Sequence, residues 1–134
     1  MSNRAIKYRV YPTTEQAIMF AKTFGCCRKV YNLMLSDKIK SYEETKSFGK
    51  QTPARYKADY PYLKEVDSLA LANVQLNLQS AIKNCFDKNR KSKNGFPVYK
   101  SAKHSRKSYT TNNQKGTVKL IDEKYIRLPK VGKV

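Results

Sequence analysis

The chain has 134 residues, with 28 Lys and Arg against 10 Asp and Glu, a net charge of +18 and a hydrophobic share of 40%. That length gives about one domain with a modest core, and so large a charge opposes compaction unless a polyanion screens it, which points to nucleic acid as the partner. No apolar run approaches the ~20 residues that span a bilayer, no signal-type segment follows Met1, and three Cys, two of them adjacent, make no disulfide framework, so a membrane partner is not expected and a reducing cytoplasm fits.

In residues 4–11, Ile6, Tyr8 and Val10 alternate with Ala5, Lys7 and Arg9, the period of a half-buried strand. Pro12 ends it. Thr13-Thr14-Glu15-Gln16 offers a capping box, with Thr13 as N-cap and Gln16 answering it. Ala17, Phe20, Ala21 and Phe24 follow at helical spacing, and Gly25 is expected to break this helix. A second helix then runs from about Cys26 to Glu44, with Phe24, Cys27, Tyr31, Met34, Leu35, Ile39 and Tyr42 as its apolar stripe. Arg28 and Asn32 lie four apart on a neighbouring face. Two helices about a glycine corner read as helix-turn-helix-like.

Residues 45–62 read as loop with one helical turn near residues 54–58. Asp67 or Ser68 caps a third long helix. Its stripe is Leu71, Val74, Leu78, Ile82 and Cys85, and it is expected to run out near Arg90.

Residues 83–107 hold nine cations against one acid, Asp87, and so carry +8 of the net charge of +18. Gly95-Phe96-Pro97-Val98-Tyr99-Lys100 interrupts the run as an apolar hinge. Lys88, Arg90, Lys91, Lys93, Lys100, Lys103, Arg106 and Lys107 are the residues expected to meet a phosphate backbone. The plainer alternative is a solvated loop whose lysines serve solubility. Residues 108–111 read as a polar strand. Residues 117–121 and 125–128 read as a hairpin about Asp122-Glu123-Lys124, and residues 131–134 begin a further strand after Pro129. So few strands leave open edges and little core, the mark of part of something longer.

Catalytic chemistry has no foothold in this stretch. Metal-dependent cleavage needs carboxylates that converge, whereas Glu43/Glu44 and Asp122/Glu123 are adjacent pairs that point apart. His104, the single histidine, sits in a basic run without a nearby acid. Cys26-Cys27 lacks the second pair that a zinc site requires, and no phosphate-binding glycine loop occurs. Neither a catalytic residue nor a cofactor is expected here.

Five strings occur in one order: Lys7-Tyr8-Arg9-Val10-Tyr11-Pro12-Thr13, Phe24-Gly25-Cys26-Cys27-Arg28-Lys29-Val30-Tyr31-Asn32, Gly95-Phe96-Pro97-Val98-Tyr99-Lys100, Ser108-Tyr109, and Leu128-Pro129-Lys130-Val131-Gly132-Lys133-Val134. Together, over essentially the whole chain, this set resembles the N-terminal part of the TnpB family, RNA-guided nucleases of bacterial insertion sequences that also go under the name transposase.

The resemblance implies an α+β fold. A helical, helix-turn-helix-like recognition domain of three main helices (13–94) is inserted between a first strand (1–12) and a partial wedge-type β-barrel (95–134). It implies partners too: a guide RNA with its RNA–DNA duplex, DNA flanking the target, and the remainder of the nuclease, whose RuvC-like catalytic domain and zinc-binding cysteines would follow the last residue of this chain. Arg28 would contact phosphate. Asn32 would hydrogen-bond backbone or base, or else make a buried helix–helix bond. Phe96 and Tyr99 would anchor the crossing between domains. Thr111 and Asn112 correspond to a polar pair near the surface that reads the flanking motif, with Ser68 and Ala72 on a helix facing the same DNA. Two rival readings are a stand-alone repressor-like DNA binder and a small complete nuclease or transposase.

Overall fold

The computed structural model describes residues 4–49, 51–86, 96–103, 107–114 and 116–134. Two α-helices, two short 3-10 helices and three strands follow one another: α1 Thr14–Thr45, the 3-10 turns Pro53–Lys57 and Pro61–Glu65, α2 Ser68–Cys85, β1 Lys119–Ile121, β2 Tyr125–Leu128 and β3 Gly132–Lys133. The fold is thus α+β, with two main helices among the described residues where three were expected.

α1 starts as the sequence dictates. Thr13 Oγ1 accepts from the Gln16 N–H at 3.3 Å, and the Thr13 N–H donates to Gln16 Oε1 at 2.9 Å, which completes the capping box. The expected corner at Gly25 does not form; the helix runs unbroken for 32 residues. A helical glycine costs about 1 kcal/mol relative to alanine. Burial of Phe20, Cys26, Val30 and Tyr31 on either side of it outweighs that, at roughly 1.5–3 kcal/mol for each large apolar side chain. Continuity also fixes the buried face as Cys26, Val30, Tyr31, Met34 and Leu35, with Cys27 and Ile39 half-buried beside the core and Tyr42 exposed. Lys46 closes the helix in the left-handed region at φ 61°, its N–H donating to the Tyr42 carbonyl at 2.8 Å.

α2 begins on the expected cap, the Leu69 N–H donating to Asp67 Oδ1 at 3.0 Å. It buries Leu71, Val74, Leu78 and Ile82, leaves Cys85 half-buried and ends there, short of the end expected near Arg90; Phe86 caps it, its N–H turning back to the Lys83 carbonyl at 3.3 Å. Lys22 stands 4.0 Å from Glu65 near the start of α2, and the Phe48 and Phe86 rings lie 5.9 Å apart just past the ends of both helices. The helices therefore run in the same direction, and residues 46–67 return along them. That return carries Tyr56, Leu63 and Val66 into the core. Its first 3-10 turn occupies the place read as a lone helical turn.

Residues 4–11, expected as a strand, take no ladder partner, and Ile6 and Tyr8 are 62% and 51% exposed. An alternating pattern makes a strand only where a neighbour supplies its hydrogen bonds. Residues 108–111 likewise pair with no strand. The hairpin forms as read, antiparallel with Leu120 opposite Ile126, around Asp122 at φ 56°; aspartate is among the few side chains that tolerate this conformation. β3 adds antiparallel to β2, with Leu128 opposite Gly132. Residues 8–11 and this sheet line one hollow of about 750 Å³. Among the described residues, no helix is long and apolar enough to cross a membrane.

Candidate nucleic-acid interface

The same-direction helix pair leaves a seam along α1 and α2, and residues 96–103 and 107–112 lie back over it. Contacts at four points along it pin the described parts of this return. The Phe96 ring stacks on Phe48 with centroids 6.0 Å apart, near the helix C-termini. Midway, Asn32 clasps Lys100 by its backbone: Nδ2 donates to the Lys100 carbonyl at 3.0 Å, and Oδ1 accepts from the Lys100 N–H at 2.8 Å. Nearer the helix starts, Tyr109 lies against Phe20 and Phe24 at 6.0 and 6.1 Å. Last, the Thr111 hydroxyl donates to Asp67, and Asn73 Nδ2 donates to Asn112 Oδ1 at 3.3 Å as well as to the Leu69 carbonyl at 2.9 Å.

Between the helices and this strap lies a groove of about 580 Å³, whose walls include Phe24, Val74 and Tyr99 and whose polar groups include Arg28 and Asn77. The Arg28 guanidinium folds back over Gly25, with Nη2 3.7 Å from where a Gly25 Cβ would stand. Burial of the groove floor disfavours charge there. It pushes the Cys27 thiol up to about 12, with the neighbouring Cys26 and Asp67 adding to it, and pushes the Tyr109 phenol up to about 12, with Asp67 second. Cys27 is therefore a thiol at neutral pH, in keeping with its reading as a small hydrophobe.

The residues singled out in the sequence divide into three sets. Thr111 and Asn112 come together with the start of α2, where Ser68 is exposed at the first helical position and Ala72, one turn on, is half-buried. Arg28 and Lys100 line the groove, and Asn32 holds the Lys100 backbone beside it; the Lys100 ammonium sits 4.6 Å above the Tyr31 ring. Lys103 and Lys107 are exposed further along the strap. Lys88, Arg90, Lys91, Lys93 and Arg106 lie outside the described residues. Asn32 does not bridge two helices; its amide bonds the strap.

Two features escaped the sequence. Asp67 serves twice, as helix cap and as acceptor for Thr111, and the second role joins positions 44 apart in the chain. Lys38 is buried to 3% exposure on the apolar row of α1, its ammonium at a long 3.5 Å from the Gly49 carbonyl. Its spacing of four from Met34 was the available signal. Burial holds its pKa below the usual lysine value.

Among the described residues one ion pair occurs, Lys22 with Glu65, both ends half-exposed, against a net charge of +18. No group of three or more potential metal ligands occurs among the described residues.

Residues 1–47 match the family model described as a helix-turn-helix domain, of the OrfB/IS605 kind. In the structure, residues 4–13 of that stretch form a lead without regular structure, followed by the whole of α1. A protein of Streptomyces pristinaespiralis named for RNA-guided DNA endonuclease is 38% identical over 112 residues, which cover 78% of this chain and 27% of that protein. Virulence protein VsdF of Salmonella dublin is 36% identical over 113 residues, covering 72% of this chain and 92% of the relative. The chain thus spans about a quarter of the first relative's length and nearly all of the second's. Matched at its N-terminus by the family model and along most of its length by these relatives, the chain belongs to the OrfB/TnpB transposase family and corresponds to its N-terminal, helix-turn-helix part.

Proposed function

We propose that the chain is a nucleic-acid-binding module that grips a guide RNA, the duplex it forms with target DNA, and the DNA beside that duplex, without cutting either. The helical part 13–94 recognises, and residues 1–12 with 95–134 form a partial wedge-type β layer; the hollow shared by residues 8–11 and the sheet supports that grouping. Arg28, Lys100, Lys103 and Lys107, with Lys88, Arg90, Lys91, Lys93 and Arg106, hold phosphates. Ser68, Ala72, Thr111 and Asn112 face the flanking DNA. The remainder of a nuclease supplies catalysis, in the bacterial cytoplasm. The name of the Streptomyces relative fits an RNA-guided role.

One observation carries this reading: a net charge of +18 with a single ion pair among the described residues leaves cations without acidic partners, and counterion release at a phosphate backbone is what such a surface gains from. The test is a filter-binding titration with an RNA hairpin and a DNA duplex at two salt concentrations. Six or more phosphate contacts predict a loss of roughly 1,000-fold between about 50 and about 200 mM salt; an affinity that salt leaves unchanged rejects the proposal. Cleavage of either probe with Mg²⁺, abolished by EDTA, rejects the non-catalytic part.

The Salmonella relative favours a second reading, since this chain covers 92% of it. A stretch of this length could then act by itself on DNA. Binding to duplex DNA with no gain from added RNA distinguishes this reading.

A further inference from the structure

Beyond the groove, the far end of the helix pair gathers four aromatic rings from four places in the chain. Tyr42 comes from the last turn of α1, Phe48 from the loop after it, Phe86 from the end of α2, and Phe96 from the start of the strap. Phe48 is the hub: its ring stacks on Tyr42 at 4.8 Å and 17° between planes and on Phe96 at 6.0 Å and 27°, with Phe86 tilted against it at 5.9 Å. Phe86 meets Phe96 edge-on at 6.5 Å. A core cluster would close over its own rings. This one leaves Tyr42 41%, Phe86 58% and Phe96 37% exposed.

The charges around it select a partner. The Lys46 ammonium stands 5.6 Å over the Tyr42 ring. Lys83, exposed in the last turn of α2, lies three residues before Phe86. In sequence, the span between Phe86 and Phe96 holds Lys88, Arg90, Lys91 and Lys93 against Asp87. By helix geometry Glu44 sits about 200° round α1 from Tyr42, on the opposite face, and Glu43 about 100° round, to one side. Open aromatic faces beside cations are the two ingredients of binding to unpaired nucleotides: rings stack on bases of any identity, and ammonium groups track the phosphates. A protein partner would need acidic residues against this rim to meet its charge.

We propose that the Tyr42–Phe48–Phe86–Phe96 cluster is a stacking platform for unpaired nucleotides of the bound nucleic acid, with Phe86 as its most open ring and Lys46 and Lys83 on the phosphates. This rests on the nucleic-acid reading and adds a second contact region to it, separate from the groove.

The test compares two single strands of equal phosphate count, an oligonucleotide with its bases and an abasic one, binding to the full chain and to Phe86→Ala and Phe86→Trp. The unchanged protein prefers the base-bearing strand. Phe86→Ala loses roughly 5- to 100-fold on that strand and almost nothing on the abasic one. Phe86→Trp keeps the preference, which shows that a ring is what matters. Lys83→Ala weakens both strands alike. If Phe86→Ala retains the full preference for bases, or if the unchanged protein binds both strands equally, the platform is rejected while the nucleic-acid reading stands. Failure of the unchanged protein to bind either strand, or the hairpin and duplex, removes both together.

Discussion

Tyr109 shows how one side chain can carry opposing costs. Its ring fills the angle between Phe20 and Phe24, but its hydroxyl is buried without a hydrogen-bond partner among the described residues. An unsatisfied buried hydroxyl costs about 1–3 kcal/mol, so Tyr109→Phe should raise stability by about 1 kcal/mol in urea denaturation; an unchanged or lowered midpoint would show that the hydroxyl is satisfied. The same residue sets a pH response. Its folded pKa, about 12, lies above the ordinary phenol value of 10.0, so the folded state holds the proton longer than the unfolded one. Stability from this group is intact below pH 10 and falls as pH rises towards and past 12. Tyr109→Phe removes that part of the alkaline loss. Tyr56, raised by burial and by its hydrogen bond to Asp37, contributes in the same direction. Lys38, lowered by burial, opposes it, since its neutral form is the one that folding favours. At Asn32, alanine removes both bonds to the Lys100 backbone and should cost about 1–2 kcal/mol. A variant as stable as the parent would mean that the strap is held elsewhere.

Among the elements, α1 departs furthest from its reading. The expected corner rested on Gly25 as a breaker, and glycine is indeed the poorest helix former after proline. Yet only the Arg28 guanidinium approaches a Cβ built there, at 3.7 Å, an ordinary contact. Gly25→Ala should therefore stabilise the protein by about 0.5–1 kcal/mol, with more helix by circular dichroism. Destabilisation would restore the corner. The elements with strong local signals form as read. The capping box at Thr13 and Gln16, the Asp67 cap, the 3-10 turn after Pro53 and the hairpin about Asp122 each draw on bonds or sterics within a few residues. Residues 4–11 and 108–111 had the pattern of strands but no neighbour to pair with. The end of the first, residues 8–11, lies beside the sheet, and the second is held through side chains instead, Tyr109 on aromatic rings and Thr111 on Asp67.

For the whole molecule, the helix pair is the frame, and the basic return segment is what it presents. The strap uses its backbone and its rings to hold on, by Asn32, Phe48, Phe20 and Phe24, while Lys103 and Lys107 stay exposed. Replacing Arg90, Lys91 and Lys93 together by alanine should weaken binding to every sequence by a similar factor and make the salt dependence shallower by about three phosphate contacts. Loss confined to particular sequences in a competition assay would instead show that these residues read bases.

The amino-acid sequence alone pointed to a polyanionic partner, through charge, and determined the start and buried face of α2 and the place of the hairpin, because caps, turns and periodicity are decided by neighbours in the chain. It also held enough ordered strings to suggest the family. The tertiary structure decided that Gly25 stays helical, that residues 4–11 go unpaired, and that Asn32, Asp67 and Asn73 fasten a segment dozens of positions away. Those outcomes depend on which surfaces are buried together and which hydrogen-bond partners are within reach. Both are properties of the packed chain that no stretch of it carries by itself.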